Sequence, residues 1–223
     1  MIIGFGYKAG AGKDTSGDYL VSKYGFVKDS FAGTLKALCK SVLGLSEFDV
    51  NDSRGKAIPF DRPLVVTEVL YYKLYSAVLK SLLSCEVDVD LPFPEQSSKV
   101  LYTPREVLQF IGTDIIRQIY PRFHVDTLLY RCAHRPAGTV ICDIRFPDEK
   151  KAIESAGGIT VKLCRESYLS GSTASHISEN ALNGAVWQYV IQNDSSLGYL
   201  YSQLDILVGG LQDGRQCYKK EDC

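Results

Sequence analysis

No stretch of this 223-residue chain approaches the roughly eighteen unbroken apolar residues of a membrane-spanning helix. A secretory leader is not expected either, because the apolar run Ile2–Phe5 is short and a glycine turn follows at once. Charge of one sign is not in excess. The formal net charge of -1 gives no electrostatic case for nucleic acid or an anionic membrane as partner. His124, His134 and His176 show no metal-ligand spacing and read as surface or core histidines. The seven cysteines are odd in number, scattered and without a CxxC pair, which argues against a disulfide framework or a zinc site. Reduced thiols in a cytoplasm are the expectation, with Cys142 and Cys164 as small core residues. Repeats and low-complexity tracts are absent as well. The apolar fraction of 45% is that of an ordinary globular protein, and the length suits one α/β domain with a sizeable insertion.

What is present is concentrated at the start. The run Ile2-Ile3-Gly4-Phe5 has the length of a buried strand; Gly6-Tyr7-Lys8-Ala9-Gly10-Ala11-Gly12 is a glycine turn; Lys13-Asp14-Thr15 opens a helix that ends at Gly25. Strand, glycine turn, Gly-Lys and helix are the parts of a phosphate-binding P-loop. Backbone N–H groups curl round the anion, the helix N-terminus adds partial positive charge, and the lysine reaches the outer phosphates. The spacing departs from G-x-x-x-x-G-K-[ST]. Tyr7 stands where the first glycine belongs, Gly6 comes one residue early, and Asp14 takes the place of the Mg²⁺-binding hydroxyl.

Further along, Phe26–Asp29 reads as a short strand and Leu35–Leu43 as a helix, with Lys36 near its start as an ordinary solvated lysine. Residues 46–102 form the least regular part, an inserted helical subdomain whose main helix lies within Val65–Leu83. Arg54 and Lys56 read there as a solvated charged loop. Thr103-Pro104-Arg105-Glu106 is a helix start, with a Thr cap, Pro at the first position and Glu three residues after the cap. Apolar residues nearly encircle that helix to about Tyr120. Arg105, Gln109 and Thr113 nevertheless recur at i, i+4 and i+8, a polar stripe that faces either a ligand or an internal network. Thr139–Asp143 is an apolar run ending in a carboxylate, the pattern of a buried parallel strand, and Arg145 follows it. Pro147 starts a helix that stops at Gly157-Gly158; Ile159–Cys164 is the next strand, with Arg165 at its end. Residues 166–182 have the composition of a mobile flap, Tyr189–Ile191 is a last strand, Asn193-Asp194 a turn, Leu197–Leu207 a final helix, and 209–223 a tail.

The segments GFGYKAGAGKDT, TPREVLQFIGTDIIR, VICDIRFPDEKKAIESAGG, SHISE and IQNDSSLGYL, in this order, resemble the bacteriophage deoxynucleoside monophosphate kinases. The resemblance covers about half the chain and leaves 47–101 and the tail outside it. It implies an α/β fold, a five-stranded parallel sheet flanked by helices, with ATP on the P-loop and a deoxynucleoside monophosphate beside it. One kinase domain would span 1–208, with the insertion at 46–102, a lid at 165–182 and a tail at 209–223. Gly10, Ala11, Gly12, Lys13, Asp14 and Thr15 would meet the ATP phosphates or Mg²⁺, and Asn193 and Asp194 the adenine and ribose. Arg105, Gln109 and Thr113, with Lys36 and Arg117, would face the monophosphate substrate. Asp143 and Arg145 would stand at the reacting centre with Lys13 and Arg165, Asp143 or Asp14 holding Mg²⁺. His176, Ser178 and Glu179 would belong to the lid. Phe123-His124 stands where the substrate pocket of such kinases carries an aromatic, often Trp.

The implied reaction is dNMP + ATP to dNDP + ADP, in the host cytoplasm if a phage encodes the protein. Two other readings fit the same loop and sheet: a kinase of another small metabolite such as dephospho-coenzyme A, and a nucleotide-dependent switch protein. Several arginines at the sheet edge favour an enzyme with two phosphorylated ligands. A homodimer stays open as the assembly.

Overall fold

Short runs rich in valine and isoleucine, separated by helices, condense into a five-stranded parallel sheet in the computed structural model, which describes residues 1–8, 10–88, 90–96, 98–165 and 181–212. The strands are β1 (Ile2–Gly6), β2 (Val27–Asp29), β5 (Thr139–Ile144), β6 (Ile159–Cys164) and β7 (Tyr189–Gln192), in the order β2-β5-β1-β6-β7. A parallel sheet covered by helices must be apolar on both faces. The central strand obeys this: Ile3 and Phe5 are wholly buried, and Val140, Ile141 and Val161 beside them are too. Each such side chain removed from water contributes about 1.5–3 kcal/mol. Register pairs Gly6 of β1 with Ile144 of β5. The turn after β1 and the end of β5 therefore lie side by side at the carboxyl edge, where open α/β sheets bind ligands.

The chain divides into two compact units, Met1–Phe31 with Arg131–Cys223, and Ala32–Tyr130. The sheet belongs to the first, along with α1 (Lys13–Tyr24), α8 (Pro147–Ser155) and α9 (Leu197–Gln212). Gly25 ends α1 in the left-handed conformation that glycine adopts cheaply. The rings of Tyr19 and Tyr201 stack at 3.9 Å between α1 and α9. Asp205 accepts the hydroxyls of Tyr19 and Tyr24, each at 2.7 Å, and pairs with Lys23 at 2.7 Å. Leu200, Leu204 and Leu207 bury one face of α9, which runs on to Gln212 rather than stopping at Leu207. Cys142 and Cys164 are buried, as expected of small core residues.

The second unit holds α2 (Gly33–Leu43), α3 (Glu47–Asn51), α4 (Glu68–Ser84), and a small antiparallel pair, β3 (Leu64–Val65) with β4 (Val100–Leu101), that brackets α4. Leu74, Val78 and Leu82 recur on one side of α4 and are wholly buried, whereas Val69 is exposed. The helix expected from Thr103 to Tyr120 is present in three parts: α5 (Pro104–Gln109), a π-helical stretch Phe110–Ile116, and the short α6 (Arg117–Ile119). Its start is the expected one: Glu106 N donates to the Thr103 hydroxyl at 3.2 Å, and Tyr102 N to Glu106 at 2.7 Å. Ile111, Ile115, Ile116 and Ile119 crowd around the widened turn and are buried. A Cβ on Gly112 would stand 2.8 Å from Leu35 Cδ2, so a larger residue there would require the Leu35 side chain to shift. A further helix, α7 (Phe123–Ala133), begins in this unit and ends in the first.

Candidate active site

The turn between β1 and α1 explains its own unusual spacing. Tyr7 adopts φ 93, Gly10 φ 73 and Gly12 φ 99. The tyrosine thus takes the backbone conformation of the glycine it replaces, which costs a non-glycine residue roughly 1–3 kcal/mol. Its ring is offset by cations, with Lys162 Nζ 4.5 Å and Lys8 Nζ 5.3 Å from the ring centroid. Such contacts return about 0.5–1 kcal/mol each at exposed sites. Gly6, one residue early, answers a different need. A Cβ there would lie 2.3 Å from Cη2 of Trp187, whose indole packs directly on the strand end. Tyr7 is the turn residue and Gly6 the packing residue.

Behind the turn, Asn193 is buried and its Nδ2 donates to the Ala11 carbonyl at 2.9 Å. Its backbone N–H donates to Cys164 at 2.8 Å, which ties the turn to the end of β6. A Cβ at Gly12 would fall 2.5 Å from that Nδ2. Asn193 is a buttress of the turn, while the neighbouring Asp194 is exposed. Lys13, the first residue of α1, folds its ammonium back onto the carbonyls of Tyr7, at 3.1 Å, and Lys8. These oxygens hold the cation over the turn.

Two carboxylates were candidates for Mg²⁺, and they differ. Asp14 is largely exposed and pairs with Lys28 at 2.9 Å; Lys28 also pairs with Asp18 at 2.9 Å. Burial works against the Lys28 charge, but the bonds from Asp14 and Asp18 outweigh it and its pKa is raised. Asp143, near the end of β5, is half-buried, and its Oδ1 accepts the Phe31 N–H at 3.1 Å. Arg145 and Arg165 are exposed at the same sheet edge, after β5 and β6. No group of three or more His, Cys, Asp or Glu among the described residues is arranged to hold a metal ion.

Two features of this edge escaped the sequence reading. Glu149 is buried in the first turn of α8, and its Oε2 accepts the N–H groups of Arg145 at 2.8 Å and Phe146 at 3.2 Å. Burial pushes its carboxyl up to about 8 against the pull of those N–H groups, and the charge of Asp143 adds to the rise. The other is Asp29, at the end of β2. Arg131 binds both its oxygens at 3.0 Å, Arg135 lies 2.7 Å away, and Arg131 also donates to Ser30 O at 3.2 Å. Burial would raise the Asp29 pKa, but the two arginines hold it below the ordinary carboxylate value. A strand-terminal aspartate and two arginines four residues apart were the available signals.

In the second unit, Arg105, Gln109 and Thr113 are all exposed, and none makes a side-chain hydrogen bond or ion pair among the described residues. The stripe is therefore not an internal network. Lys36 and Arg117 are half-buried in the same unit. Phe123 is wholly buried core, and His124 beside it lies 3.3 Å from the Gly112 carbonyl. His176, Ser178 and Glu179 lie outside the described residues.

Comparison with known proteins follows the same residues. The profile of a family described as deoxynucleotide monophosphate kinase matches residues 92–204, the stretch that carries Arg105, Gln109, Asp143, Arg145, Glu149 and Asn193. A protein of Acanthamoeba polyphaga mimivirus named "Putative deoxynucleotide monophosphate kinase" is 28% identical over 219 residues, covering 92% of this chain and 94% of its own. No helix among the described residues is long and apolar enough to cross a membrane. With the family profile spanning half of its length, this chain belongs to the deoxynucleotide monophosphate kinase family.

Proposed function

We propose that the protein transfers the terminal phosphoryl group of ATP to a deoxynucleoside monophosphate, giving the diphosphate and ADP. The observation that carries this reading is the arrangement at the sheet's carboxyl edge. A glycine turn with a lysine at the following helix start lies beside a strand-end aspartate, through the pairing of Gly6 with Ile144. A monophosphate oxygen attacks the γ-phosphorus in line as the bond to the ADP oxygen breaks, and the protein's work is positioning and neutralisation of charge. The backbone N–H groups of residues 10–15 cradle the ATP phosphates. Lys13 exchanges the Tyr7 and Lys8 carbonyls for phosphate oxygens, which is favourable because phosphate carries full negative charge.

Asp143 fits a Mg²⁺ partner, since its Oδ1 is oriented by the Phe31 N–H, and Asp14 is the second candidate once its pair with Lys28 opens. Mg²⁺, when bound, supplies neutralisation of the phosphate oxygens. Arg145 and Arg165 clamp the equatorial oxygens with planar forks that lysine cannot imitate. Arg105, Gln109 and Thr113, exposed and without protein partners among the described residues, bind the monophosphate, with Lys36 and Arg117 adding charge. Asp194 meets the nucleoside of ATP and Asn193 holds the loop beneath it. Incubation with ATP, Mg²⁺ and a panel of ribo- and deoxyribonucleoside monophosphates, following ADP release, tests the reading. Release that depends on a deoxynucleoside monophosphate is the expected result. Release with dephospho-coenzyme A alone, or none with any monophosphate, would overturn it.

A further inference from the structure

The backbone that follows Asp143 bonds to a buried side chain. Phe146 precedes α8 and has no oxygen with which to cap it, and Pro147 at the first helical position has no N–H to offer. The N–H groups of Arg145 and Phe146 instead converge on Oε2 of Glu149, at 2.8 and 3.2 Å. Glu149 is only 5% exposed, so water does not substitute for it. Its helix packs against the central strand. A Cβ on Gly4 of β1 would stand 2.7 Å from Ile153 Cδ1, one helical turn beyond Glu149, and 2.6 Å from Ile144 Cδ1. From the other side, Asp143 is pinned through its Oδ1 by the Phe31 N–H. Sheet, helix, carboxylate and backbone thus form one continuous support ending at two residues of the proposed reacting centre.

We propose that Glu149 is a positioning residue of the phosphoryl transfer, fixing the backbone of Asp143–Phe146 so that the Asp143 carboxylate and the Arg145 guanidinium meet the transferred group in register. The inference rests on the proposed kinase reaction. It differs from ordinary helix capping, which would cost stability alone. A displacement of about 1 Å in a positioned group typically costs on the order of a hundredfold in rate.

The test compares wild type, Glu149→Ala and Glu149→Gln at a temperature where each is folded, reading amide hydrogen exchange at Arg145 and Phe146 beside kcat and both KM values. Glu149→Ala is expected to speed exchange at those two amides and lower kcat by about ten- to a hundredfold, with the KM for ATP within about twofold. Glu149→Gln keeps an oxygen in place and should restore most of the lost kcat. If Glu149→Ala does not fold, Glu149→Asp, one methylene too short to reach, serves in its place. Faster exchange with unaltered kcat would reduce Glu149 to a helix cap and overturn the inference, as would unaltered exchange. Failure of the kinase reading is distinct: wild type itself would release no ADP with any monophosphate, and the positioning role would fall with it.

Discussion

The candidate site residues of the two units differ in how they are held. In the first, Asp29, Asp143, Glu149 and Asn193 are each held by backbone groups or arginines within their own unit. In the second, the stripe Arg105, Gln109 and Thr113 stands exposed without such bonds among the described residues. Groups that stabilise a transition state gain most when their geometry is fixed beforehand, because no reorganisation is needed as charge develops. Groups that capture a substrate need a free face for it. Under the proposed function, chemistry belongs to the sheet edge and substrate capture to the helix.

The largest effect should come from removing the charge at the sheet edge. Lys13→Ala is expected to lower turnover by about 10²–10³ with little change in melting temperature, since the ammonium bonds the Tyr7 and Lys8 carbonyls of its own turn. Near-normal turnover would remove the turn from the chemistry. Next comes the stripe. Arg105→Lys keeps the charge and loses the fork, and should raise the KM for the monophosphate by about tenfold or more while leaving the KM for ATP and the melting temperature alone. Lower stability with both KM values unaltered would erase the contrast between the units.

A smaller effect separates the two acidic residues. Asp143→Asn should shift the Mg²⁺ concentration required for activity further than Asp14→Asn, because Asp14 already neutralises Lys28 and is largely exposed. Mg²⁺ titration of both variants decides it, and a larger shift for Asp14→Asn reverses the assignment. The smallest concerns acid stability. The depressed pKa of Asp29 means that its contribution is present above the ordinary value of 3.8 and fades as pH falls through the lowered value. Asp29→Asn should lower the melting temperature at pH 7 by a few degrees, below the cost of a fully buried pair because both arginines reach solvent. The gap from wild type should close in strongly acidic buffer. A gap independent of pH would mean that Asp29 acts through packing rather than charge.

Much of this was legible in the chain. The strands Thr139–Ile144 and Ile159–Cys164 announce themselves as apolar runs, and the Thr103–Glu106 start is written in residue types alone. The stripe was legible as spacing, but spacing is the same for a ligand face and for a buried network; exposure excluded the buried network. Glu149 was read only as a first-turn acid, since its burial beneath Arg145 depends on how α8 packs on β1.

Sequence by itself determined what depends on neighbours along the chain: the periods of strands and helices, the caps, the glycine turn with its lysine, and the reduced state expected of scattered cysteines. Tertiary structure alone decided the partnerships between distant residues. Asn193 meets Ala11 across 182 positions, Asp143 meets Phe31 across 112, and Arg131 meets Asp29 across 102. It also decided that Tyr7 adopts the conformation of a glycine while Gly6 makes room for Trp187. Local patterns follow from the sterics and hydrogen bonding of adjacent residues, whereas these contacts exist only after the sheet has closed in its final order and burial has made each unpaired polar group costly.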